Sequence, residues 1–448
     1  MLRAAAGGCR LRAGPGAWRG GERVAAGRPR PPTSRAAGGR RIRELGLALP
    51  LATLPPLLVA RCRGLCGRAA GGALRAARGA AVARRAGSST SYPQPREGID
   101  WRSLGFGLAT RDSKMIVANC SAGSMWGELR SEPYGVIPLE PAATILNYGQ
   151  GIFEGIKAYR TERGRIVLFR PQKNGKRMAD GARRMLMPPL PPSLFLQACS
   201  KAVTENADLV PPCGQGALYL RPLLFGSGAD LGVKPSSQYV FCVFVSPVGQ
   251  YFGPGTTGAR MELCTHHQRA APAGVGHVKC VGNYAQCFGV QRDAKANGFS
   301  DVIYLDVHGE SIDEAAASNF FCVDEHRVVH TPPLGTILPG VTRDSIIQLI
   351  RRMRGQGIQL KVGKLPASVA LGASEAFLTG TGAGITPIEH ISSEQDSADF
   401  PCPGPVTRAL QKELADIQAE RKEDALGWLH DPFVDAAFSR DSYQDPAF

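Results

Sequence analysis

At 448 residues the chain has room for a presequence and two domains of ordinary size. Its formal charge of +15 is unevenly spread: residues 1–90 hold eighteen Arg, no Lys and two acids, Glu22 and Glu44, so the remainder sums to −1 (+15 minus +16). That excludes a basic nucleic-acid-binding surface on the folded part and leaves the balance of an ordinary soluble enzyme.

Residues 1–90 are rich in Ala, Gly and Arg and are followed by Ser91, closing a Gly87-Ser-Ser-Thr-Ser91 run. They read as a disordered targeting leader for a plastid or mitochondrion, absent from the mature protein. Within them Leu45 to Ala60 is uncharged and mostly apolar, but it is sixteen residues long and broken by Pro50, Pro55 and Pro56. A membrane span needs about twenty residues, so no membrane segment is expected in the mature enzyme. The stretch reads either as the apolar part of a signal inside a multi-part plastid leader or as an apolar patch of a transit peptide. Twelve cysteines without a Cys-x-x-Cys point to reduced thiols. Eight histidines show no ligand spacing beyond the adjacent His266-His267, and no metal is expected.

The composition turns globular near Ile99. Lys114 to Ala118 is strand-like. Ile145 to Tyr159 carries Gly149, Gly151 and Gly155, a near-miss to a dinucleotide-binding Gly-x-Gly-x-x-Gly. The spacing is off by one and no acid follows about twenty residues on, so these glycines are expected to let backbone pack closely while Tyr148 and Phe153 face a pocket. Arg165 to Phe169 is a short strand, and Pro171 to Met187 is a basic helix. Such a run is usually a solvated face, though one inward arginine would be an anion ligand. Ser193 to Ala207 is an amphipathic helix with Ser193 as its cap. In Ala217 to Phe225 the period of two puts Tyr219 and Arg221 on one face of a strand and Leu218 and Leu220 on the other. Gln238 to Ser246 is a near-continuous apolar strand, and Pro247 to Thr257 is a glycine- and proline-rich linker.

In the second half a strand at Arg260 to Thr265 precedes Gly276-His-Val-Lys-Cys-Val-Gly-Asn-Tyr284 and a helix from Ala285 to Ala296. Lys279 is the only lysine between Lys234 and Lys295, among small, apolar and aromatic neighbours. Burial there would favour the free amine, a nucleophile that forms Schiff bases with carbonyls. A packed stem with its head in water is the plainer alternative. Strands follow at Asp301 to Leu305 and Asn319 to Val323, with Glu314 just ahead of the second. Leu338-Pro-Gly-Val-Thr-Arg-Asp344 opens a helix expected from Asp344 to Arg354, a place where free N–H groups meet the positive dipole end. Glu375 to Thr379 is a strand running into the glycine-rich turn Gly380 to Pro387, which adds N–H groups and the Thr381 hydroxyl. An amphipathic helix, Pro405 to Glu423, closes the chain.

An amine, a carboxylate ahead of a strand, an inward arginine and two anion-binding turns are the parts a pyridoxal phosphate enzyme needs. From about Ile99 to Pro432 the chain resembles the branched-chain amino acid aminotransferases, fold-type IV pyridoxal phosphate enzymes, and among them the long-chain eukaryotic branch. The likeness rests on Asn147-Tyr-Gly-Gln-Gly-Ile-Phe-Glu-Gly155, Leu168-Phe-Arg-Pro171, Tyr219-Leu-Arg-Pro222, Ser246-Pro-Val-Gly249, Val278-Lys-Cys-Val-Gly-Asn-Tyr284, Leu338-Pro-Gly-Val-Thr-Arg343 and Thr379-Gly-Thr381, in that order. It implies an α/β (α+β) fold: a small domain at 99–246, an interdomain loop at 247–257, and a larger domain at 258–432 carrying Lys279. The tail, 433–448, matches nothing.

The resemblance also implies roles. Lys279 is the Schiff-base lysine and shuttles the proton between the substrate Cα and the cofactor C4′. Glu314 pairs with the pyridine nitrogen and Tyr284 with the ring hydroxyl oxygen. Arg177, Val341, Thr342 and Thr381 hold the phosphate of pyridoxal 5′-phosphate. Tyr148, Phe153 and Tyr251 wall an apolar pocket; Tyr219 and the N–H groups of Gly382 and Ala383 take the α-carboxylate. Arg221 meets the side-chain carboxylate of glutamate. The reaction implied is transamination between Leu, Ile or Val and 2-oxoglutarate, by a homodimer in which the loop at Leu231-Gly-Val233 reaches the neighbour's pocket. Departures are Ala315-Ala-Ala317 after the acid, no redox Cys-x-x-Cys, and Cys280-Val281 after the lysine; none removes a required group. An aminodeoxychorismate lyase or a D-amino acid transaminase of the same fold is the rival enzyme, and Arg221 disfavours both. A cofactor-free binding protein is disfavoured by the presence of Lys279, Glu314 and Arg177 together.

Overall fold

The computed structural model describes residues 92–253, 255 and 257–436. The expected leader at 1–90 and most of the tail at 433–448 lie outside the described residues.

The first half runs through β1 (Lys114–Ser121), β2 (Arg130–Pro133), a short helix α1 (Thr144–Tyr148), then β3 (Gly151–Phe153), β4 (Ile156–Arg160) and β5 (Ile166–Phe169). Helices α2 (Pro171–Arg184) and α3 (Pro192–Thr204) follow, then the long strands β6 (Ala217–Gly226) and β7 (Gln238–Val248). The second half holds β8 (Ala259–Cys264), α4 (Gly282–Ala285), α5 (Phe288–Ala296), β9 (Asp301–Leu305), β10 (Ile312–Ala315), β11 (Asn319–Val323) and β12 (Val328–Thr331). It continues with α6 (Val341–Arg352), β13 (Gln359–Val362), α7 (Ala367–Leu371), β14 (Glu375–Gly380), β15 (Gly384–Ser392), β16 (Ser397–Asp399), α8 (Pro405–Gln418), β17 (Leu429–His430) and α9 (Pro432–Ala436). Among the described residues no helix is long and apolar enough to cross a membrane.

One sheet is antiparallel, in the order β17-β5-β4-β6-β7-β1-β2, with β3 also paired to β6. The other is mixed, in the order β10-β9-β8-β15-β14-β11-β12-β13, and β10 pairs with β11 as well, so six of its strands close on themselves. Helices α2 and α3 cover the first sheet through Met178, Ala182, Phe195 and Ala202 against Ile116, Leu168, Leu220 and Phe241. In the second half Ile346, Ile350, Leu410 and Leu414 of α6 and α8 pack on Phe321 and Phe377, and Phe169 and Trp428 join the same cluster. Side chains from both sheets therefore share one core, and C-terminal β17 pairs back onto β5.

The alternation expected in β6 holds: Leu218 and Leu220 are fully buried while Tyr219 and Arg221 face the opposite side, half-buried. Four readings change. Helix α3 has no side-chain cap and starts at Pro192; a proline in the first turn lacks the N–H a cap would satisfy and has its φ already set, so Ser193 is not the cap. The helix after Lys279 is two pieces, α4 and α5, separated at Gln286 and Cys287. Helix α6 begins at Val341, three residues earlier than expected, so the glycine turn meets the helix without a spacer. Glu314 lies within a strand of its own, β10, whose Asp313-Glu314 pair hides it from an apolar-alternation reading.

Candidate active site

Lys279 sits on an extended stretch before α4. Phe153 N–H donates to the Lys279 carbonyl at 3.0 Å and Val281 N–H to the Gly151 carbonyl at 3.1 Å, so the lysine segment docks as an added rung on β3. Asn283 Nδ2 donates to the carbonyls of Val275 and Val278, both at 2.8 Å, and fixes the turn behind it. The amine reaches inward to 3.0 Å from Tyr284 Oη and lies 4.6 Å from the centre of the Phe153 ring. Burial, then the Arg177 charge, bring the Lys279 ammonium down to about 8, with Glu154 opposing. The buried alternative, not the exposed turn, is what this segment adopts.

Across the cavity Glu314 is 2% exposed. It forms an ion pair with buried Arg269, accepts from Asn319 Nδ2 at 2.9 Å, and accepts from Leu338 N–H at 3.0 Å. Burial raises its carboxyl to about 7, against the pull of Arg269. Arg269 Nε is fixed on the Ala316 carbonyl at 3.1 Å, and its guanidinium lies 5.8 Å from the Tyr284 ring centre. Burial pushes the Tyr284 phenol up to about 12, so it stays a hydrogen-bond donor at neutral pH.

Helix α6 points its start at the same space, with Gly340 as N-cap and Val341 and Thr342 as the first helical residues. The first amides of a helix have no intrahelical acceptor. Gly340 is required here because a Cβ would run into Asn319 Oδ1. Arg177 of α2 lines the rim, and its charge is matched: Nε and one terminal nitrogen each donate to Glu154 at 2.7 Å, and the other donates to the Pro339 carbonyl at 3.0 Å. Glu154 is fully buried and also accepts from Asn174.

The remaining wall is aromatic. Arg221 donates to Tyr219 Oη at 3.3 Å, and its guanidinium stacks 4.7 Å from the Phe153 ring centre. Arg221 and Thr379 line the cavity, and Arg221 Nε and Thr379 Oγ1 are buried without a hydrogen-bond partner among the described residues. Tyr251 packs on Gly382, where a Cβ would crowd its ring. Phe106 sets its edge against Tyr219 and Tyr251, each at 4.9 Å. Its segment is strapped down by Gly249 N–H to Gly105 O at 3.0 Å and by Ser246 Oγ, which donates to Gly107 O at 2.8 Å and accepts from Ala109 N–H.

The cavity so enclosed measures about 290 Å³. Lys279, Arg177, Tyr284, Glu314, Val341, Thr342, Thr381, Phe153, Tyr219, Arg221, Tyr251, Gly382 and Ala383 all line it. Tyr148 does not. It ends α1, 42% exposed, and donates to the Leu231 carbonyl. Gly149, at φ +64, turns the chain after it, and of the two aromatics in that motif Phe153 is the one that lines the cavity within one chain. Sequence reading missed Arg269, Asn319 and Phe106. The glycines at 105 and 107 around Phe106 were a signal of close backbone approach; Asn319 lies five residues after Glu314 at the start of the next strand, a local sign, while Arg269 pairs with Glu314 from 45 residues away and left none.

The family model for amino-transferase class IV matches residues 151–391. A branched-chain-amino-acid aminotransferase of Arabidopsis thaliana, named chloroplastic, is 41% identical over 345 residues, covering 76% of this chain and 82% of that one. A mitochondrial branched-chain amino acid aminotransferase of Humulus lupulus is 41% identical over 333 residues, 74% of this chain and 84% of its own. Among solved structures, the branched-chain amino acid aminotransferase of Escherichia coli superposes with a TM-score of 0.61 at 28% identity, covering 72% of this chain and 99% of that one. Another such enzyme, solved with pyridoxamine 5′-phosphate, superposes at 0.60 with 26% identity over the same shares of both chains.

Proposed function

The chain belongs to the class IV aminotransferases, which use pyridoxal 5′-phosphate, and we propose that it transfers the amino group between branched-chain L-amino acids and 2-oxoglutarate. The observation that carries the reading is one cavity in which the half-buried Lys279 amine, the buried Glu314 carboxylate and the Arg221 guanidinium converge. Those residues fit the cofactor. Glu314 would meet its ring nitrogen, Tyr284 its ring oxygen, and Arg177 with the amides of Val341 and Thr342 and the Thr381 hydroxyl its phosphate. Bound there, it supplies an electron sink for the pair released when the substrate Cα–H bond breaks.

The chain's own groups do the rest. The Lys279 amine, held near neutrality by burial, takes the Cα proton and returns it. Glu314, held by Arg269, Asn319 and Leu338 N–H, keeps negative charge at the far end of the cavity. Phe153, Tyr251 and Phe106 exclude water and accept a branched aliphatic side chain. Tyr219 and the N–H groups of Gly382 and Ala383 take the α-carboxylate, while Arg221 takes the second carboxylate of glutamate. A lyase acting on a ring substrate has no use for that last contact.

Tyr148 belongs to a different surface. With Leu231 and Val233, 83% and 88% exposed, it forms an apolar patch suited to a second copy, and a homodimer would bring it to the neighbour's cavity. Relatives named chloroplastic and mitochondrial support reading residues 1–90 as an organelle leader. The deciding experiment is an absorption spectrum of the purified protein from Ser91 onward, with leucine and then with 2-oxoglutarate. A cofactor band that leucine converts and 2-oxoglutarate restores is expected. A band unmoved by leucine transfers the reading to the lyase or the D-amino acid enzyme, and no band removes it.

A further inference from the structure

Arg170 stands immediately before α2 in a left-handed backbone conformation (φ +51, ψ +41) that residues with side chains rarely adopt. Its side chain is 3% exposed and does not line the cavity. The guanidinium donates to Ser345 Oγ at 2.6 Å and to Asp344 Oδ2 at 2.5 Å, both in the first turns of α6. It also lies 4.6 Å from the centre of the Trp428 ring, and the Arg170 N–H donates to the Trp428 carbonyl at 2.8 Å. Ser345 Oγ passes the contact on, donating to the Val341 carbonyl at 2.9 Å. Farther along the same helix, Arg177 holds the Pro339 carbonyl at 3.0 Å. Arg170 at its start and Arg177 within it therefore tie α2 both to the first turns of α6 and to the carbonyl just before Gly340.

Charge adds a second consequence. Asp344 suits the dipole of α6, but its carboxylate lies in the turn that would receive an anion and opposes one. Arg170 cancels it, leaving the amides at the helix start free to act on an incoming negative group. Packing alone would have needed no buried guanidinium to join α2 to α6.

We propose that Arg170 is a positioning residue for phosphate: through Asp344 and Ser345 it holds the start of α6 in register with Arg177 and removes the charge that would repel the ligand. This rests on reading Val341 and Thr342 as the phosphate seat, and the experiment separates the two. The cofactor-free chain, as wild type, Arg170→Gln and Ser345→Ala, is titrated with pyridoxal 5′-phosphate and with pyridoxal, which lacks the phosphate. Wild type is expected to prefer the phosphorylated form. Arg170→Gln, which removes the charge and its bonds to Asp344 and Ser345, should weaken that form about tenfold or more, and Ser345→Ala, which removes only one of those bonds, by about threefold, with pyridoxal affinity changed less than about twofold. Equal weakening of both ligands, or an unchanged preference, overturns the proposal while leaving the phosphate seat standing. A wild type that does not distinguish the two ligands overturns the seat and this proposal together. Should Arg170→Gln fail to fold, Ser345→Ala decides alone, because it removes one hydroxyl and leaves every charge in place.

Discussion

Replacing Arg221 by methionine keeps the length of the side chain and removes its charge. In the native site the guanidinium has one hydrogen bond, to Tyr219, stacks on Phe153, and leaves Nε unpartnered. A glutamate or 2-oxoglutarate side-chain carboxylate in the cavity would meet the guanidinium with a charge-assisted hydrogen bond worth about 1.5–3 kcal/mol. Leucine brings no such group and meets the aromatic wall, which methionine continues. The expected result is a fall in kcat/KM of roughly 10- to 150-fold for glutamate, and of less than about threefold for leucine. Single-turnover absorbance with each amino acid measures the two half-reactions separately, so one variant gives both numbers. Arg221→Lys, which keeps the charge without the planar fork, should fall between. Equal losses for glutamate and leucine would refute the reasoning and make Arg221 a support for Tyr219 and Phe153.

Lys279→Ala should abolish turnover while circular dichroism and the unfolding midpoint stay near wild type; transamination at the wild-type rate would remove Lys279 from the chemistry. Covalent attachment of pyridoxal 5′-phosphate to the cofactor-free chain should accelerate as pH rises through about 8, where burial places the Lys279 ammonium, and level off above it. The sign follows because the free amine is the reactive form and burial disfavours the cation; a rate still climbing near pH 10.5, the ordinary lysine value, would contradict that burial. Gly340→Ala puts a methyl against Asn319 Oδ1, whose amide nitrogen bonds both Glu314 and the Leu338 carbonyl. A loss of about 1–3 kcal/mol in urea unfolding is expected from such overpacking, together with weaker cofactor binding; an unchanged midpoint would mean that Asn319 can move aside freely.

What the sequence discloses about this site is what local chemistry dictates. Tyr219 and Arg221 are two residues apart on a strand, so their shared face follows from the pleat, and the glycine at 340 ahead of a helix marks the proposed anion seat. The partners of those groups come from elsewhere in the fold. Arg269 meets Glu314 from 45 residues away, Glu154 neutralises Arg177 across 23, and Arg170 reaches Ser345 across 175. No periodicity relates such pairs, because the closed second sheet and the docking of the lysine segment on β3 set their distances. Tyr148 fails for the complementary reason: its motif is right, but the left-handed Gly149 after it turns it outward in a single chain. Glu314 is legible by residue type and misplaced by element, since a four-residue strand with two adjacent acids carries no apolar alternation.

The buried charges in this cavity explain one another in a definite order. Burial does most to bring the Lys279 ammonium down to about 8, the Arg177 charge adds to it, and Glu154, which pairs with Arg177, opposes both. Glu314, at the other end, would be driven to its neutral acid by burial if Arg269 did not oppose it. Two buried ion pairs thus flank the reactive groups, Arg177 with Glu154 beside Lys279 and Arg269 with Glu314 at the far end, and each pair spans two elements: Glu154 after β3 with α2, and Arg269 ahead of the lysine segment with β10. Removing either counter-ion leaves a charge buried without a partner, which costs about 3–5 kcal/mol. A lost counter-ion should therefore appear in stability as well as in the protonation state of the catalytic group. Lys279 itself is cheaper to replace than Glu314, because it carries no counter-ion whose charge would be stranded, whereas loss of Glu314 strands Arg269.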